Sequence, residues 1–537
     1  MRRNNWLGLL IFLIYIAFEW PHIHPVEAFV LFSILCLIPL SFDLIEIKDR
    51  SGKTFWVAKW VELMYPFAAG SAMLAFLLDQ IVFAEVWFLY TGFVSLLGLR
   101  RLMERGWKPL SETSIDFGQL YLFLGGFWFF AYVAEWNIMG FSGLIVLLTA
   151  IHFHYSAYFL PIFVGLLTRK IIDWPMTIII MVSPITVAIG ITYSTTIELV
   201  AVILYFLSLF RYGYRIWNTS FENALAKRFL IISASFLFLT ITFSLLYALG
   251  TFRGKIILSI EEMIWIHGSV NAVAVILLGL IGWRLETPKV IGNDYGKPMS
   301  KVIGSFAIGG DFLKKSGLME ESEYIGLVDK MSDFSSDDFD ANQLSPTIMD
   351  FYENTVDYDL KAKISWSKWF LPFAYLYQRI SLRLQQIHLG VNREWQKMSG
   401  QIVGIDSSKD GRRKVRAWVR QNEKGETIFV ALYSLHSYLG KGYMNIALPL
   451  PLGNMTGILK PLNHEDKLIL TSHHSSKGSP GDEGIYFRTR FLTSRLPLAE
   501  TFVLKEISTG NLQAHHQMWL FRIKFLQIQY QIQKTAL

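Results

Sequence analysis

Cysteine and charged residues are both scarce in this chain of 537 residues. It contains one cysteine, and 17% of its residues are Asp, Glu, Lys or Arg. A single cysteine excludes a disulfide-stapled secreted domain and a zinc site built from several thiolates. The charged fraction lies well below the ~25% that is usual for soluble domains. The composition therefore argues against an ordinary soluble protein.

The shortage of charge is concentrated in the first half of the chain. Residues 1–286 contain 37 charged side chains, whereas residues 287–537 contain 56. The first region is too apolar for a water-soluble fold, and the second is close to normal. We therefore divide the chain into a transmembrane domain (1–286), a polar linker with an amphipathic helical region (287–399) and an α+β domain (400–537).

Apolar runs near 20 residues, long enough to cross about 30 Å of hydrocarbon, recur through the first region. A backbone in lipid must satisfy its own hydrogen bonds, so these runs are predicted to be helices. The predicted fold class is a polytopic α-helical membrane protein of about ten transmembrane helices with a C-terminal cytoplasmic α+β domain rich in antiparallel strands. The predicted spans are 6–20, 26–46, 61–78, 81–99, 115–134, 143–168, 175–194, 196–216, 228–249 and 262–283.

The distribution of Lys and Arg predicts the orientation. With ten spans and the N-terminus inside, 17 of the Lys and Arg residues in 1–286 lie on the cytoplasmic side, and two, Arg253 and Lys255, lie outside. Cytoplasmic loops carry such an excess. Adding or omitting one helix would place every later loop on the opposite side of the membrane, and the excess of Lys and Arg on one side would disappear. We therefore predict a multi-pass protein of the cell membrane with both termini in the cytoplasm.

The region after residue 400 has the two-residue period of strands. Apolar and polar residues alternate from Val415 to Arg420, and later runs are separated by Gly, Pro, Asn, Asp and Ser, as in an antiparallel sheet. The last segment, 512–533, has mixed periodicity and favours a helix. The runs lie at 427–435, 443–450, 455–461, 467–473, 484–491 and 500–507.

Two basic segments of the second half indicate which binding partners are expected. Arg412, Arg413, Lys414, Arg416 and Arg420 are interpreted as the solvated face of a strand, and no nucleic acid is expected as a partner. Residues 366–389 form an aromatic-rich amphipathic segment with the cations Lys368, Arg379 and Arg383. This segment fits a helix on the inner membrane surface, attracted by anionic lipids, and it equally fits a core helix of the soluble domain.

Five histidines lie in the transmembrane region, all toward its outer side. Ionisable side chains within a membrane are costly and mark functional sites by default. His154 and Tyr158 share a helix face at i and i+4, as do His267 and Asn271. His152 and His154 are about 200° apart and face one pocket only if the helix is broken between them. The candidate polar site, between spans six and ten, consists of His152, His154, Tyr155, Tyr158, His267 and Asn271.

Three chemistries remain open for these residues. They are hydrogen-bonded packing histidines, a site for a polar solute or proton, or a metal or haem site. The cofactor is therefore left undetermined. The candidate metal ligands are His22, His24, His154 and His267.

The two histidine strings resemble the YndJ-like family of bacterial multi-span membrane proteins. The resemblance rests on His-x-His-Tyr at 152–155 ending in Leu160-Pro161, and on His267-Gly268-x-x-Asn271-Ala272. The resemblance implies a polytopic membrane protein and gives no established activity or catalytic residue. Segments of the second half also resemble the region that follows the spans in longer members of this family, namely 326–329, 339–340, 345–346, 350–355, 366–386 and 448–454.

Motifs of common enzymes are missing from the sequence. It has no phosphate-binding loop, no Gly-x-Ser-x-Gly nucleophile elbow and no His-Glu-x-x-His zinc motif. No catalytic residue is predicted. The leading hypothesis is a solute or ion transporter with a polar site between spans six and ten. The alternatives are an intramembrane metal- or haem-binding enzyme, and a non-catalytic scaffold or sensor whose C-terminal domain binds lipid or a partner.

Overall fold

The computed structural model describes residues 5–19, 21–48, 52–290, 296–320, 322, 324–474, 481–490 and 492–535. The chain divides into two compact units. The membrane unit comprises residues 1–102 and 107–295, and the barrel unit comprises residues 103–106 and 296–537. The predicted boundary at residue 286 thus lies nine residues before the structural one.

Within the described residues, helices occupy all ten positions predicted from hydropathy. Eight are long and apolar enough to cross a membrane. Of the other two, α1 has 15 residues, and α5 has 24 residues that include Glu112 and Asp116. The helices are α1 (Asn5–Glu19), α2 (Pro25–Leu44), α3 (Trp56–Leu78), α4 (Ile81–Arg105), α5 (Leu110–Val133), α6 (Leu144–Thr168), α7 (Trp174–Tyr193), α8 (Thr195–Asn218), α9 (Ala224–Arg253) and α10 (Ile260–Glu286).

Short polar side chains fix where several of these helices begin. The Asn223 side chain accepts hydrogen bonds from the backbone N–H groups of Leu225 and Ala226 at the start of α9. Ser259 and Glu262 form a reciprocal capping box at the start of α10. Such caps satisfy the backbone donors that the first helical turn leaves unpaired.

Within the described ranges, the barrel unit is built on twelve antiparallel strands, ten of which form a closed ring. Going round the ring, β1 to β7 pair in order, β7 pairs with β10, β10 to β12 pair in order, and β12 pairs with β1. Strands β8 and β9 extend outward from β6. The strands are β1 (Tyr358–Trp366), β2 (Trp395–Ile405), β3 (Val415–Asn422), β4 (Thr427–Tyr438), β5 (Lys441–Leu450), β6 (Gly453–His464), β7 (Lys467–Thr471), β8 (Gly484–Thr489), β9 (Thr493–Arg495), β10 (Leu498–Ser508), β11 (Asn511–Leu520) and β12 (Ile523–Lys534).

Segments outside the ring cover both its ends and part of its wall. Residues 324–357, which include α11 (Pro346–Glu353), pack over the end where β1 begins. Helix α12 (Leu371–Leu384) closes the other end, because Ala374 and Phe370 pack on the inward-facing core near Trp366 and Phe525. Residues 296–320 cover the outer face of β2 to β5 with a smaller apolar cluster.

The structure corrects two expectations for this half. Residues 287–399 are not a separate linker region, because β1 and the start of β2 lie within them and join the ring. The helix expected over 512–533 is wrong, since β11 and β12 occupy it. Their turn uses Phe521 and Arg522 at positive φ instead of glycine or asparagine, and a register shift follows Met518. The usual signals of a hairpin were therefore missing. The predicted antiparallel strands are confirmed.

Candidate functional site in the membrane unit

The sixth helix is interrupted at Tyr155. It is α-helical over Leu144–His154 and again over Ser156–Thr168, with Tyr155 between them at φ −106° and ψ −80°. His152 and His154 both precede the interruption, so they keep the opposed directions of an unbroken helix. His154 is fully buried, whereas His152 is exposed.

His154 is held by neighbours on both ring nitrogens. The Trp87 indole N–H donates to His154 Nε2 at 3.0 Å. Nε2 is therefore the acceptor, and Nδ1 carries the hydrogen that is donated to the Ala150 carbonyl at 2.8 Å. The two rings also stack, with centroids 6.0 Å apart. In this arrangement His154 joins α6 to α4 and has no nitrogen free for a metal.

The two tyrosines that follow His154 join α6 to α2. The Tyr155 hydroxyl donates to the Phe29 carbonyl at 2.7 Å. The Tyr158 hydroxyl is 2.7 Å from Ser41 Oγ, which itself donates to the Ile38 carbonyl at 2.6 Å. Tyr158 is therefore the donor to Ser41. These contacts fix the interrupted helix against the second span, which the sequence analysis had not included in the site.

Helix α2 is itself irregular beside these tyrosines. It has π-helical hydrogen bonding over Ser33–Leu37, just before Pro39. Pro39 has no N–H, so the Leu35 carbonyl loses its usual helical donor. The Tyr65 hydroxyl approaches the carbonyls of Ile34 at 2.8 Å and Leu35 at 3.4 Å. Pro39 was the sequence signal for this irregularity.

Glycines allow two helices to approach α2 closely. A Cβ atom at Gly8 would overlap the Leu35 carbonyl oxygen, so α1 passes this carbonyl without room for a side chain. A Cβ atom at Gly268 would lie 2.9 Å from the Phe29 ring, where α10 meets α2. Close approach of this kind is the usual role of glycine between membrane helices.

The tenth helix is π-helical over Met263–Gly268 and again over Asn271–Leu277. His267 Nδ1 is 3.0 Å from the Thr240 carbonyl, and a carbonyl can only accept, so Nδ1 donates. The Thr240 hydroxyl donates to Asn271 Oδ1 at 2.9 Å. One residue of α9 thus holds both polar side chains of α10. π-Helical segments are rare and occur often at functional sites.

His152 and His267 form the accessible part of this region. His152 lies close enough to His267 for the charges of their rings to interact. His152 Nδ1 donates to the Leu148 carbonyl at 2.5 Å. On both rings Nδ1 is occupied, and Nε2 has no hydrogen-bond partner among the described residues. Two imidazole nitrogens with free lone pairs therefore lie between α6 and α10.

The remaining candidate metal ligands lie elsewhere. His22 is exposed in the connection between α1 and α2. His24 caps α2, with its Nδ1 accepting from the Val26 N–H at 3.2 Å. In the part of the chain that the structure describes, no group of three or more His, Cys, Asp or Glu side chains is arranged to hold a metal ion.

The predicted six residues therefore separate into two groups. His154, Tyr155 and Tyr158 link α6 to α4 and α2 as structural contacts. The second group, His152, His267 and Asn271, lies between α6, α9 and α10. We call this second group the imidazole site.

A buried ionic cluster in the same unit was missed by the sequence analysis. Arg169 makes two hydrogen bonds to the Glu112 carboxylate, Nε to Oε1 at 2.7 Å and Nη2 to Oε2 at 2.9 Å. Arg101 Nη2 donates to Glu112 Oε2 at 2.8 Å, and its Nε is 3.2 Å from Asp116 Oδ1. All four side chains are at most 4% exposed. The cluster joins α4, α5 and the end of α6.

Comparison with known proteins agrees with this architecture. The chain is 45% identical to the uncharacterized membrane protein YndJ of Bacillus subtilis (strain 168) over 538 aligned positions, which cover 99% of this chain and 98% of that protein. The family model described as YndJ-like protein matches residues 28–275, which include all six candidate residues. No solved structure matches the chain. This integral membrane protein belongs to the YndJ-like family.

Proposed function

We propose that the membrane unit transports a proton, or a polar solute coupled to a small cation, through the imidazole site. The observation that carries the proposal is the pair of free Nε2 atoms on His152 and His267, next to irregular stretches of α6 and α10. Helix interruptions at membrane depth are typical of transporters, where they line a binding cavity. A neutral imidazole with a free ring nitrogen can take up a proton and release it again, which is the chemistry a proton pathway needs.

The orientation of the chain is part of this proposal. The excess of Lys and Arg in the even-numbered connections between helices supports cytoplasmic termini, and with it a cytoplasmic barrel unit. The imidazole site then lies toward the outer side, because His152 and His267 both follow an outer connection within a few turns.

Proton flux into proteoliposomes tests transport directly. The full-length protein is reconstituted with a pH-sensitive dye inside, and a pH gradient is imposed. We expect His152→Ala and His267→Ala each to lower the flux by roughly tenfold or more, the factor for about 1.4 kcal/mol. The double variant should lose little more than either single variant, because residues of one site are not additive.

His22→Ala is the matched control, since His22 is an exposed histidine outside the site. Flux equal to that of empty liposomes, or wild-type flux in His267→Ala, would contradict the proposal. A stoichiometric metal or a haem absorption band in the purified protein would instead assign the two imidazoles to metal chemistry.

The barrel unit supports a second proposal, which is contact with anionic lipid through α12. Six apolar side chains around this helix are each at least 45% exposed. Trp369 lies next to the β11–β12 turn, because the Trp369 indole N–H donates to the Lys524 carbonyl at 3.1 Å. We call these six residues the α12 surface, namely Trp369, Phe373, Leu376, Ile380, Phe521 and Ile523.

Charge favours a membrane as the partner of the α12 surface. Segment 366–389 contains no Asp or Glu. Three exposed cations lie within it, Lys368, Arg379 and Arg383, and two more, Arg522 and Lys524, lie beside it in the β11–β12 hairpin. An exposed apolar helix face with a basic border is the signature of an interfacial helix. Each cation near an anionic surface contributes about 1 kcal/mol to binding.

A single cysteine on α12 tests both lipid contact and orientation. Cys36→Ser gives a cysteine-free background, in which Leu376→Cys carries an environment-sensitive fluorophore. We expect its emission to shift to the blue in nanodiscs with anionic lipid, and less in purely zwitterionic ones. In intact cells the thiol should resist a membrane-impermeant maleimide until the cells are permeabilised.

Lys409→Cys is the control, because Lys409 is an exposed residue at the opposite end of the barrel. If positions 376 and 409 respond equally to anionic lipid, α12 has no special contact with the membrane. Labelling of position 376 in intact cells would place the barrel unit outside and overturn the orientation.

A further inference from the structure

The inward face of the ring is identified by the strand registers. Leu360 pairs with Met398, Ile402 with Trp418, and Ala431 with Trp418, so these residues share one face. The same face continues round to Tyr530, which pairs with Ala362 and closes the ring. It carries the large apolar core of the unit, whereas the opposite face of β12 carries glutamines. The core face is therefore the interior.

A ring of ten strands has room inside. Eight strands already enclose a space that side chains just fill or that holds one small ligand, and the diameter grows with strand number. Small residues point into this interior, among them Ala362, Ala431 and Ala514. Phe502 and Ile446 face inward as well, yet both keep intermediate exposure. The neighbours of these two inward side chains therefore do not cover them completely.

Three arginines of the basic segment are buried, which corrects the interpretation of a solvated strand face. Arg412 is paired with Asp410, and Arg416 is paired with Asp329. Arg420 is 8% exposed and has no carboxylate within 4 Å among the described residues. Its Nε also lacks a hydrogen-bond partner within the described ranges. A buried cation without an anion is costly, so the contrast with Arg412 and Arg416 calls for an explanation.

Aromatic rings and hydroxyls surround the Arg420 guanidinium. Its Cζ lies 4.4 Å from the centre of the Trp418 ring and 4.3 Å from that of Phe429. It is within hydrogen-bonding reach of the Tyr530 hydroxyl. Burial raises the pKa of Tyr433 to about 12, although the nearby Arg420 lowers it. Both phenols are therefore protonated at neutral pH and are able to donate to an anion.

Glu500, which is close enough to Tyr433 and Tyr530 to interact with their phenols, has its own partner. Glu500 Oε2 is 3.0 Å from His516 Nε2. The His516 ring stacks on Phe502 with centroids 3.7 Å apart, which holds the pair against the wall. Glu500 is thus paired with His516 and forms no ion pair with Arg420 within 4 Å.

We propose that the barrel interior binds a long-chain acyl molecule with an anionic head group. Arg420, Tyr433 and Tyr530 bind the carboxylate or phosphate of the head group, and the apolar inner face packs on the acyl chain. Guanidinium and hydroxyl donors give strong, charge-assisted hydrogen bonds to such oxyanions. Arg420 lies two residues before the end of β3, at the end of the barrel that α12 closes. The proposal depends on neither the transport nor the lipid-contact proposal.

Binding of radiolabelled oleate to the full-length protein in phosphatidylcholine nanodiscs tests this site. Specific binding is the part that excess unlabelled oleate displaces. We expect Arg420→Leu to weaken it by roughly ten- to hundredfold, the scale for hydrogen bonds to a charged group. Arg413→Leu is the matched control, since Arg413 is exposed on the same segment. Competition by lysophosphatidic acid distinguishes a phosphate head group from a carboxylate.

Two further readouts separate binding from folding. Arg420→Leu should keep the thermal stability of the ligand-free protein while losing the stabilisation that oleate gives, because it removes an unpaired buried charge. Tyr530→Phe, which removes one hydroxyl, should also weaken oleate binding. Competition by oleyl alcohol as effective as that by oleate, or unchanged binding in both variants, would overturn the proposal.

Discussion

Replacing Glu112 by alanine is expected to destabilise the membrane unit by about 3–5 kcal/mol. The substitution removes the carboxylate that receives three hydrogen bonds from Arg169 and Arg101. Two guanidinium groups would then remain in a region that excludes water, with Asp116 as the nearest acidic group of the cluster. Removing one member of a buried ionic group costs more than the group contributes, because the other members stay buried after they lose that member's opposite charge.

An SDS unfolding titration of the purified protein, followed by tryptophan fluorescence, measures this effect. Glu112→Gln should lose a similar amount, since it keeps the volume and removes the charge. Glu222→Ala, which changes an exposed acidic residue of the same unit, should stay within about 0.5 kcal/mol of wild type. Equal stability of Glu112→Ala and Glu222→Ala would show that the cluster is solvated rather than buried.

Replacing Arg412 by alanine is expected to destabilise the barrel unit by a similar amount, about 3–5 kcal/mol. Arg412 binds both Asp410 oxygens, Nε to Oδ1 at 2.7 Å and Nη2 to Oδ2 at 3.0 Å. Its Nη1 donates to Asn445 Oδ1 at 2.8 Å and to the Asn445 carbonyl at 3.0 Å. The substitution would leave a fully buried carboxylate whose remaining side-chain donor is the Ser300 hydroxyl at 2.6 Å.

Hydrogen exchange of peptides from β3, β4 and β5 measures this loss in the full-length protein. A local probe is needed because a chain of two units does not unfold in one step. Arg413→Ala, which changes the exposed neighbour, should leave the exchange rates of these strands near those of wild type. If both variants exchange alike, Arg412 does not hold the strands together.

Hydropathy predicted the helices well because lipid acts on each stretch of chain locally. The segment from 144 to 168 was visible as a span without knowledge of its neighbours. The interruption at Tyr155 was not visible, since no proline or glycine stands at that position. The π-helical stretch before Pro39 had a signal in the sequence, which is the proline itself, but no irregularity was predicted from it.

The chemical type of the site residues could be predicted from the sequence, but the residues that they contact could not. His152 and His154 look equivalent in the sequence. In the structure, however, the Trp87 indole donates to His154 Nε2, whereas His152 stays accessible. The same holds for the basic segment of the barrel unit. Arg412, Arg416 and Arg420 alternate like residues on a strand, and nothing local tells which of them meets a carboxylate.

The sequence by itself determined that ten apolar stretches form helices and that the second half forms antiparallel strands. Both follow from local periodicity and from the cost of moving polar backbone and side chains into lipid or a core. The tertiary structure alone decided that β12 closes the ring against β1, and that His152 lies near His267. Each of these arrangements brings together residues more than a hundred positions apart, so it depends on how whole elements pack rather than on any local pattern.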